Sequence, residues 1–211
     1  MPDAKNAKIA GHSMNIILPG TWANVPLDDQ VTARKFVKNL VRRQVGVDDR
    51  LALVRAQAVD ETMLNVAQAV AMGVHTYLMS LELLPGVPFP AAMLMMDEPW
   101  PDTARPGLGD DDLPRALREG FPGGGVLELS QGPVLRIAEF AENMEPMAVT
   151  EQAPVSVLRL EYHLPYPGLE RLLYVRVSVP NLPQAEPFLT LFDEIIDSIT
   201  FIESEPRSED E

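Results

Sequence analysis

The first third of the chain carries apolar residues at helical spacing. Between residues 31 and 45 they recur three and four positions apart, which predicts a helix with one apolar face. Asp28 and Asp29 stand at its start, where acidic side chains favour the positive end of the helix dipole. Gly46 is expected to end it.

A second helix is predicted from Asp48 and Asp49 to about Met72. It is amphipathic at first and becomes apolar on most sides past Thr62, which is typical of a helix that enters the protein interior. Polar side chains interrupt the stretch 62–81, and its period changes along the way. We therefore expect buried core there and no membrane span.

From residue 74 onward the apolar period shortens to two, which predicts strands. The clearest pair joins 155–164 to 171–179 through a turn that contains Pro167 and Gly168. In the strand from residue 74, Thr76 and Ser80 are expected on a polar side. Further strands are expected over 14–18, 91–96, 126–130, 134–140 and 199–202. A short helix is predicted from Asp110 to Glu119, opened by its aspartates, and a terminal helix is predicted from Pro183.

Neighbouring strands joined by short turns predict an α+β fold, an antiparallel sheet with helices packed on it. The chain has 211 residues, of which 46% are hydrophobic, so it is long enough to bury a sizeable core. No repeat or interior linker divides it. We expect a flexible N-terminus over 1–13, a single domain over 14–202 and an acidic disordered tail over 203–211.

Charge and cysteine content exclude several classes of function. Seventeen basic and 31 acidic side chains give a formal net charge of −14, which argues against general nucleic acid binding. The absence of cysteine excludes disulfides, thiolate metal sites and thiol catalysis, and it fits a cytoplasmic protein. Residues 1–13 lack the apolar stretch of a secretory signal.

No motif for catalysis, cofactor binding or metal binding stands out. The glycine-rich stretch 120–125 leads into a strand, whereas a phosphate cradle needs a helix N-terminus. The three histidines, His12, His75 and His163, lie far apart, and Asp110–Asp112 lack the alternate spacing of a calcium loop. We expect no cofactor and no metal, and enzymatic activity is not favoured.

One candidate site is a basic stripe on the first helix. Arg34, Lys38 and Arg42 are spaced four apart, with Lys35 and Arg43 beside them, so five of the 17 basic residues occupy ten positions. Such a stripe fits the docking of an acidic protein segment, including the acidic tail of a neighbouring copy. The alternative is a solvated helix face whose cations pair with nearby acids.

The second candidate is the polar face of the 155–179 hairpin. Counting residues across its turn places Glu161 opposite Arg176 and His163 opposite Tyr174, all on one face. An acid, a base and a cation would then converge, as a small-molecule site or a hydrolase requires. The alternative is the solvent-facing side of a half-buried hairpin.

The first half of the chain resembles a family of uncharacterised actinobacterial proteins. Trp22 follows a Leu-Pro-Gly-Thr start, Arg43-Gln44 closes the first helix, and Tyr77-Leu78-Met79-Ser80-Leu81 precedes the turn Gly86-Val87-Pro88. This resemblance implies no particular activity.

The hairpin, the helix from Pro183 and the closing Asp-Ser-Ile-Thr-Phe at 197–201 resemble the end of PsbP-like domains. That resemblance implies an α/β/α sandwich around an antiparallel sheet, used mostly as a binding or accessory module.

Together these features predict a non-enzymatic interaction or accessory module that binds another protein. A homo-oligomer formed through an edge strand or the first helix is a further interpretation. The alternative is a small-molecule-binding protein or hydrolase that uses the hairpin.

Overall fold

The computed structural model describes residues 6–8, 14–102, 104, 112–143, 155–168, 171–180, 182 and 184–202. The helices in these residues are α1 (Gln30–Val45), α2 (Ala52–Ala71), α3 (Leu113–Gly120) and α4 (Glu186–Asp197). The strands are β1 (Asn6–Lys8), β2 (Met14–Ile17), β3 (Thr21–Asn24), β4 (Thr76–Leu84), β5 (Val87–Pro88), β6 (Ala92–Pro99), β7 (Gly125–Leu129), β8 (Gly132–Asn143), β9 (Val155–Pro165), β10 (Arg171–Pro180) and β11 (Thr200–Phe201). The predicted acidic tail and most of the predicted flexible N-terminus lie outside the described residues.

The strands form two sheets in which every pair is antiparallel. The main sheet has eight strands in the order β3-β4-β6-β10-β9-β8-β7, and β5 pairs with β4. A small sheet has the order β1-β2-β11. The predicted α+β fold is therefore confirmed, while the resemblance to PsbP-like domains and the single-domain boundary stay predictions.

Local sequence signals set both ends of the first helix. The Asp29 carboxylate caps α1 by accepting hydrogen bonds from the backbone N–H groups of Val31 and Thr32, at 3.3 and 2.9 Å. The Thr32 hydroxyl also donates to this carboxylate, and these hydrogen bonds lower the pKa of Asp29. Gly46 ends the helix at φ +93°, a backbone angle that favours glycine.

No helix in the described part of the chain is long and apolar enough to cross a membrane.

The predicted start of the last helix was wrong, whereas Asp110 and Asp111, expected to open the short helix, lie outside the described residues. α4 begins at Glu186 and not at Pro183, and Pro187 occupies its first turn, where a missing N–H costs no hydrogen bond. In α3 the side chain of Asp112 does not cap the helix. Its carboxylate instead accepts a hydrogen bond from Arg115 at 2.8 Å.

One face of the main sheet packs against α4 and the small sheet. Its buried side chains alternate along the two strands of the hairpin, as predicted: Leu158, Leu160, Tyr162, Leu164, Leu173, Val175, Val177 and Val179. Phe192 and Ile196 of α4 and Ile16 of β2 belong to the same cluster. We call this cluster the central core.

Helices cover the opposite face of the main sheet in two places. α1 and α2 cover β4 and β6 with a cluster that includes Val37 and Tyr77. On this same face, α3 covers β8 and the start of β10, where Leu117 packs with Leu135 and Leu172. The space between these two covers holds the polar residues of the hairpin.

The strand β4 departs from its predicted pattern. Thr76 and Ser80, expected on a polar side, are only 1% and 3% exposed. Leu78 lies between them and belongs to the central core. β4 is an inner strand between β3 and β6 and is covered on both faces, so alternation of polarity does not report its exposure.

A polar triad joins α4 to the main sheet. The Arg136 guanidinium forms an ion pair with the Asp193 carboxylate, and the Tyr162 hydroxyl donates a hydrogen bond to the same carboxylate at 2.9 Å. Burial, and then the charge of Asp193, raises the pKa of Tyr162. The triad therefore holds α4 in one position over the central core.

We expect Asp193→Asn to destabilise the protein by about 1–3 kcal/mol, because it leaves the half-buried Arg136 guanidinium without a counter-charge. The exposed neighbour Glu194 provides the matched control, since Glu194→Gln makes the same charge change without touching the triad. Urea unfolding of both variants measures the difference, and equal midpoints would contradict a stabilising role for the triad.

Candidate functional site

The hairpin places its four candidate residues as their spacing predicts. The register pairs Glu161 with Arg176 and His163 with Tyr174. The residues directly before and after each of them in the strands face the central core. These four side chains therefore lie on the opposite face of the main sheet. The predicted register is confirmed, and the convergence of these side chains into a site stays a prediction.

His163 is enclosed between a carboxylate and an aromatic ring. Its Nδ1 lies 3.0 Å from Oε2 of Glu98, and its ring stacks on Phe121 with 3.6 Å between the ring centroids. Glu98 comes from β6 beside Leu172, and Phe121 directly follows α3. His163 is 3% exposed.

The other half of the cluster is more open. The Tyr174 hydroxyl hydrogen-bonds to Glu161, and burial followed by the charge of that carboxylate raises the pKa of Tyr174. Arg176 Nε lies 4.0 Å from Glu161 Oε1, and both side chains are about one-third exposed. Glu161 and Arg176 are therefore partly accessible to solvent, whereas Phe121 shields the imidazole of His163.

Two members of this cluster were missed by sequence reasoning. The predicted strand over 91–96 stopped before Glu98, and Phe121 was assigned to a glycine-rich turn without a role. A predicted strand extended beyond residue 96, into the acidic residues that follow, would have included Glu98. Its proximity to His163 depends on the pairing of β6 with β10, which no local signal reveals.

The expectation of a solvent-facing hairpin face was wrong at His163. The helix α3 and Phe121 cover this side chain, so it meets the Glu98 carboxylate, while Glu161 and Arg176 stay partly exposed. Buried polar groups are stable only when they are hydrogen-bonded, which the Glu98 carboxylate achieves for His163.

The basic stripe of α1 lies on the exposed side of the helix pair. Arg34 Nη2 forms an ion pair with Asp60 Oδ1 of α2 at 2.6 Å. Within the described residues, Lys38 and Arg42 have no ion-pair partner although both are exposed. We call Arg34, Lys38 and Arg42 the basic surface.

A shallow depression of about 390 Å³ lies beside the basic surface, where α1 meets the start of α2. Its lining combines cations with apolar side chains and one acid: Arg34, Lys38, Val41, Arg42, Arg55, Ala56, Val59 and Asp60. Arg55 is held in place because its guanidinium donates to the carbonyl oxygens of Gly46 and Asp48, at 3.0 and 2.7 Å. We call this the basic depression. Sequence reasoning missed Arg55 and Asp60, which come from the second helix.

Metal ligands are not clustered among the residues that the structure describes. No group of three or more His, Asp or Glu side chains there is arranged to hold an ion. No protein-family model matches the chain, and a search of curated proteins finds no match. The candidate sites therefore rest on geometry and chemistry alone.

All four tyrosines have a raised pKa, and burial is the largest cause for each of them. The folded state therefore holds these protons above pH 10, where the unfolded state loses them. The stability that they contribute is present below pH 10 and is lost as the pH rises further.

We expect the phenolate absorbance of the native protein at pH 10 to stay well below the half amplitude that exposed tyrosines give, because the pKa of each tyrosine is raised. The same titration in concentrated urea should give the ordinary curve. A phenolate signal of half amplitude at pH 10, with native circular dichroism retained, would contradict this expectation.

Proposed function

We propose that this chain is a non-enzymatic interaction module that binds acidic segments of a partner protein through the basic surface. One observation carries the proposal. Lys38 and Arg42 are exposed and lack ion-pair partners among the described residues, in a protein whose net charge is −14.

A solvated helix face would be expected to pair its cations with the abundant acids nearby. Of the three cations on the basic surface, Arg34 does so, through Asp60. Both members of that pair are largely exposed, with 49% and 65% of the side-chain surface accessible, so the pair contributes little to stability. It is available for exchange with a carboxylate from a partner.

The basic depression favours a protein segment over a free ion. The exposed Ala56 supplies apolar surface between the cations, and Val41 and Val59 also line the depression although each is only 6% exposed. Residues four apart on a helix are about 5–6 Å from each other, so Lys38 and Arg42 present their charges in a row. Carboxylates spaced along a peptide match such a row, and the apolar surface lets part of the peptide be buried.

The hairpin cluster supports catalysis less well. His163 is its natural proton acceptor, but Phe121 covers the ring and Glu98 holds its Nδ1. The open residues Glu161 and Arg176 provide charge without an accessible base. We therefore assign this cluster a structural role and place partner binding on the basic surface.

The double variant Lys38→Glu, Arg42→Glu should weaken binding of a fluorescein-labelled ten-residue oligoglutamate by about tenfold or more, because it replaces two attractions with two repulsions. Fluorescence anisotropy at low and moderate salt measures the affinity. Arg43→Glu on the same helix is the control and should retain most of the binding. The melting temperature should stay nearly constant in both, since all three side chains are exposed. Equal binding by the parent and the double variant would refute the proposal.

Asp60→Asn should tighten binding of the same peptide by roughly two- to fivefold, because it removes the carboxylate that competes for Arg34. Glu61→Gln on the neighbouring exposed position makes the same charge change away from Arg34 and is the matched control. If both variants bind equally well, the gain reflects net charge and Arg34 takes no part in docking.

A further inference from the structure

The groove between α1 and α2 holds a second depression, of different character. It has a volume of about 340 Å³ and is mostly apolar, with Leu27, Asp28, Gln30, Ala33, Met63, Val66, Ala67 and Val70 as its lining. Ala67 and Val70 are exposed at this site, and Val70 keeps 48% of its surface accessible. We call it the apolar depression.

The two depressions lie in line along the helix pair. The end of α1 faces the start of α2 at the basic depression, and the start of α1 faces the end of α2 at the apolar depression. The helices are therefore antiparallel. The ion pair of Arg34 with Asp60 belongs to the basic depression, at its end nearer the apolar depression. Their centres are about eight residues apart along α1, or about 12 Å at the helical rise.

Charge gives this groove a direction. Lys38, Arg42 and Arg55 surround one end, and the exposed Asp28 stands at the other. A bound segment would place its carboxylates among the cations and would keep them away from Asp28. Its portion at the apolar depression must be uncharged and large enough to cover the exposed side chain of Val70, which lies beside the buried Met63 and Val66.

We infer that the partner is an acidic amphipathic segment of another protein, with one bulky apolar side chain about 12 Å from a pair of carboxylates. The apolar side chain fills the apolar depression, and the carboxylates pair with Lys38 and Arg42. In a helical segment this distance corresponds to about seven or eight residues, and in an extended one to about three or four. The inference rests on the proposed function, because it specifies the segment that the basic surface binds.

A panel of labelled peptides tests this inference. Each peptide is ten residues of glutamate and serine, and a single phenylalanine is moved through successive positions. A peptide without phenylalanine is the reference. Three proteins are compared by fluorescence anisotropy: the parent, Ala67→Gln and Ala71→Gln. Both alanines are exposed on α2, but only Ala67 lines the apolar depression, and glutamine is a good helix former.

At one or two spacings, we expect phenylalanine to raise the affinity for the parent by about fivefold to tenfold over the reference peptide. Ala71→Gln should behave like the parent. Ala67→Gln should lose the gain from phenylalanine and keep the affinity for the reference peptide, because its longer side chain occupies the depression. Circular dichroism confirms that both variants are folded.

Failure of the inference and failure of the proposed function give different results. If the reference peptide binds and Lys38→Glu weakens it, but phenylalanine adds nothing at any spacing, the inference is overturned and the proposed function stands. An equal gain in all three proteins also overturns the inference, since phenylalanine then binds elsewhere. If no peptide binds the parent, both are overturned. A parent that is dimeric, and that Lys38→Glu makes monomeric, assigns the groove to a second copy and overturns the inference.

Discussion

The register of the β9–β10 hairpin is the constraint on which the layers of this protein depend. It pairs Tyr162 with Val175 toward the central core and His163 with Tyr174 toward the opposite face. A slip of one residue would exchange these faces and bury charged side chains beneath α4. The apolar alternation of both strands therefore matches one register, and β6 and β8 pair with the two sides of this hairpin.

The two faces of the hairpin are stabilised by different means. Toward α4 the core is mostly apolar, and it contains the triad in which the Asp193 carboxylate accepts from Arg136 and Tyr162. At the end of α4, Ser130 and Gln131 donate further hydrogen bonds to Asp197 and Ile196. Toward α3 the side chain of His163 is covered beside the apolar cluster of Leu117, Leu135 and Leu172, and its burial is favourable only when it is hydrogen-bonded. Glu98 supplies the carboxylate that makes this burial favourable for His163.

The proposed docking surface follows from the same layering. α1 and α2 bury their apolar sides on β4 and β6, through residues such as Val37 and Tyr77, and this contact places the remaining sides in solvent. Because the helices are antiparallel, cations from the end of α1 meet Arg55 from the start of α2. The resulting positive charge is confined to this surface, and it is opposite in sign to the net charge of the protein.

Much of the local structure was determined by the sequence itself. The Asp29 cap, the Gly46 stop and the pairing of Glu161 with Arg176 all depend on residues close together in the chain, so periodicity and turn chemistry predicted them. Only the tertiary structure decided which polar residues would be covered and which cations would stay unpaired. His163 is enclosed by Phe121 and Glu98, and Arg34 meets Asp60. The hydrogen-bonded residues are 65 positions apart in the sequence for His163 and Glu98, and 26 apart for Arg34 and Asp60. Such contacts depend on how helices dock on the sheet, and docking depends on the packing of many side chains at once, which no local pattern in the sequence encodes.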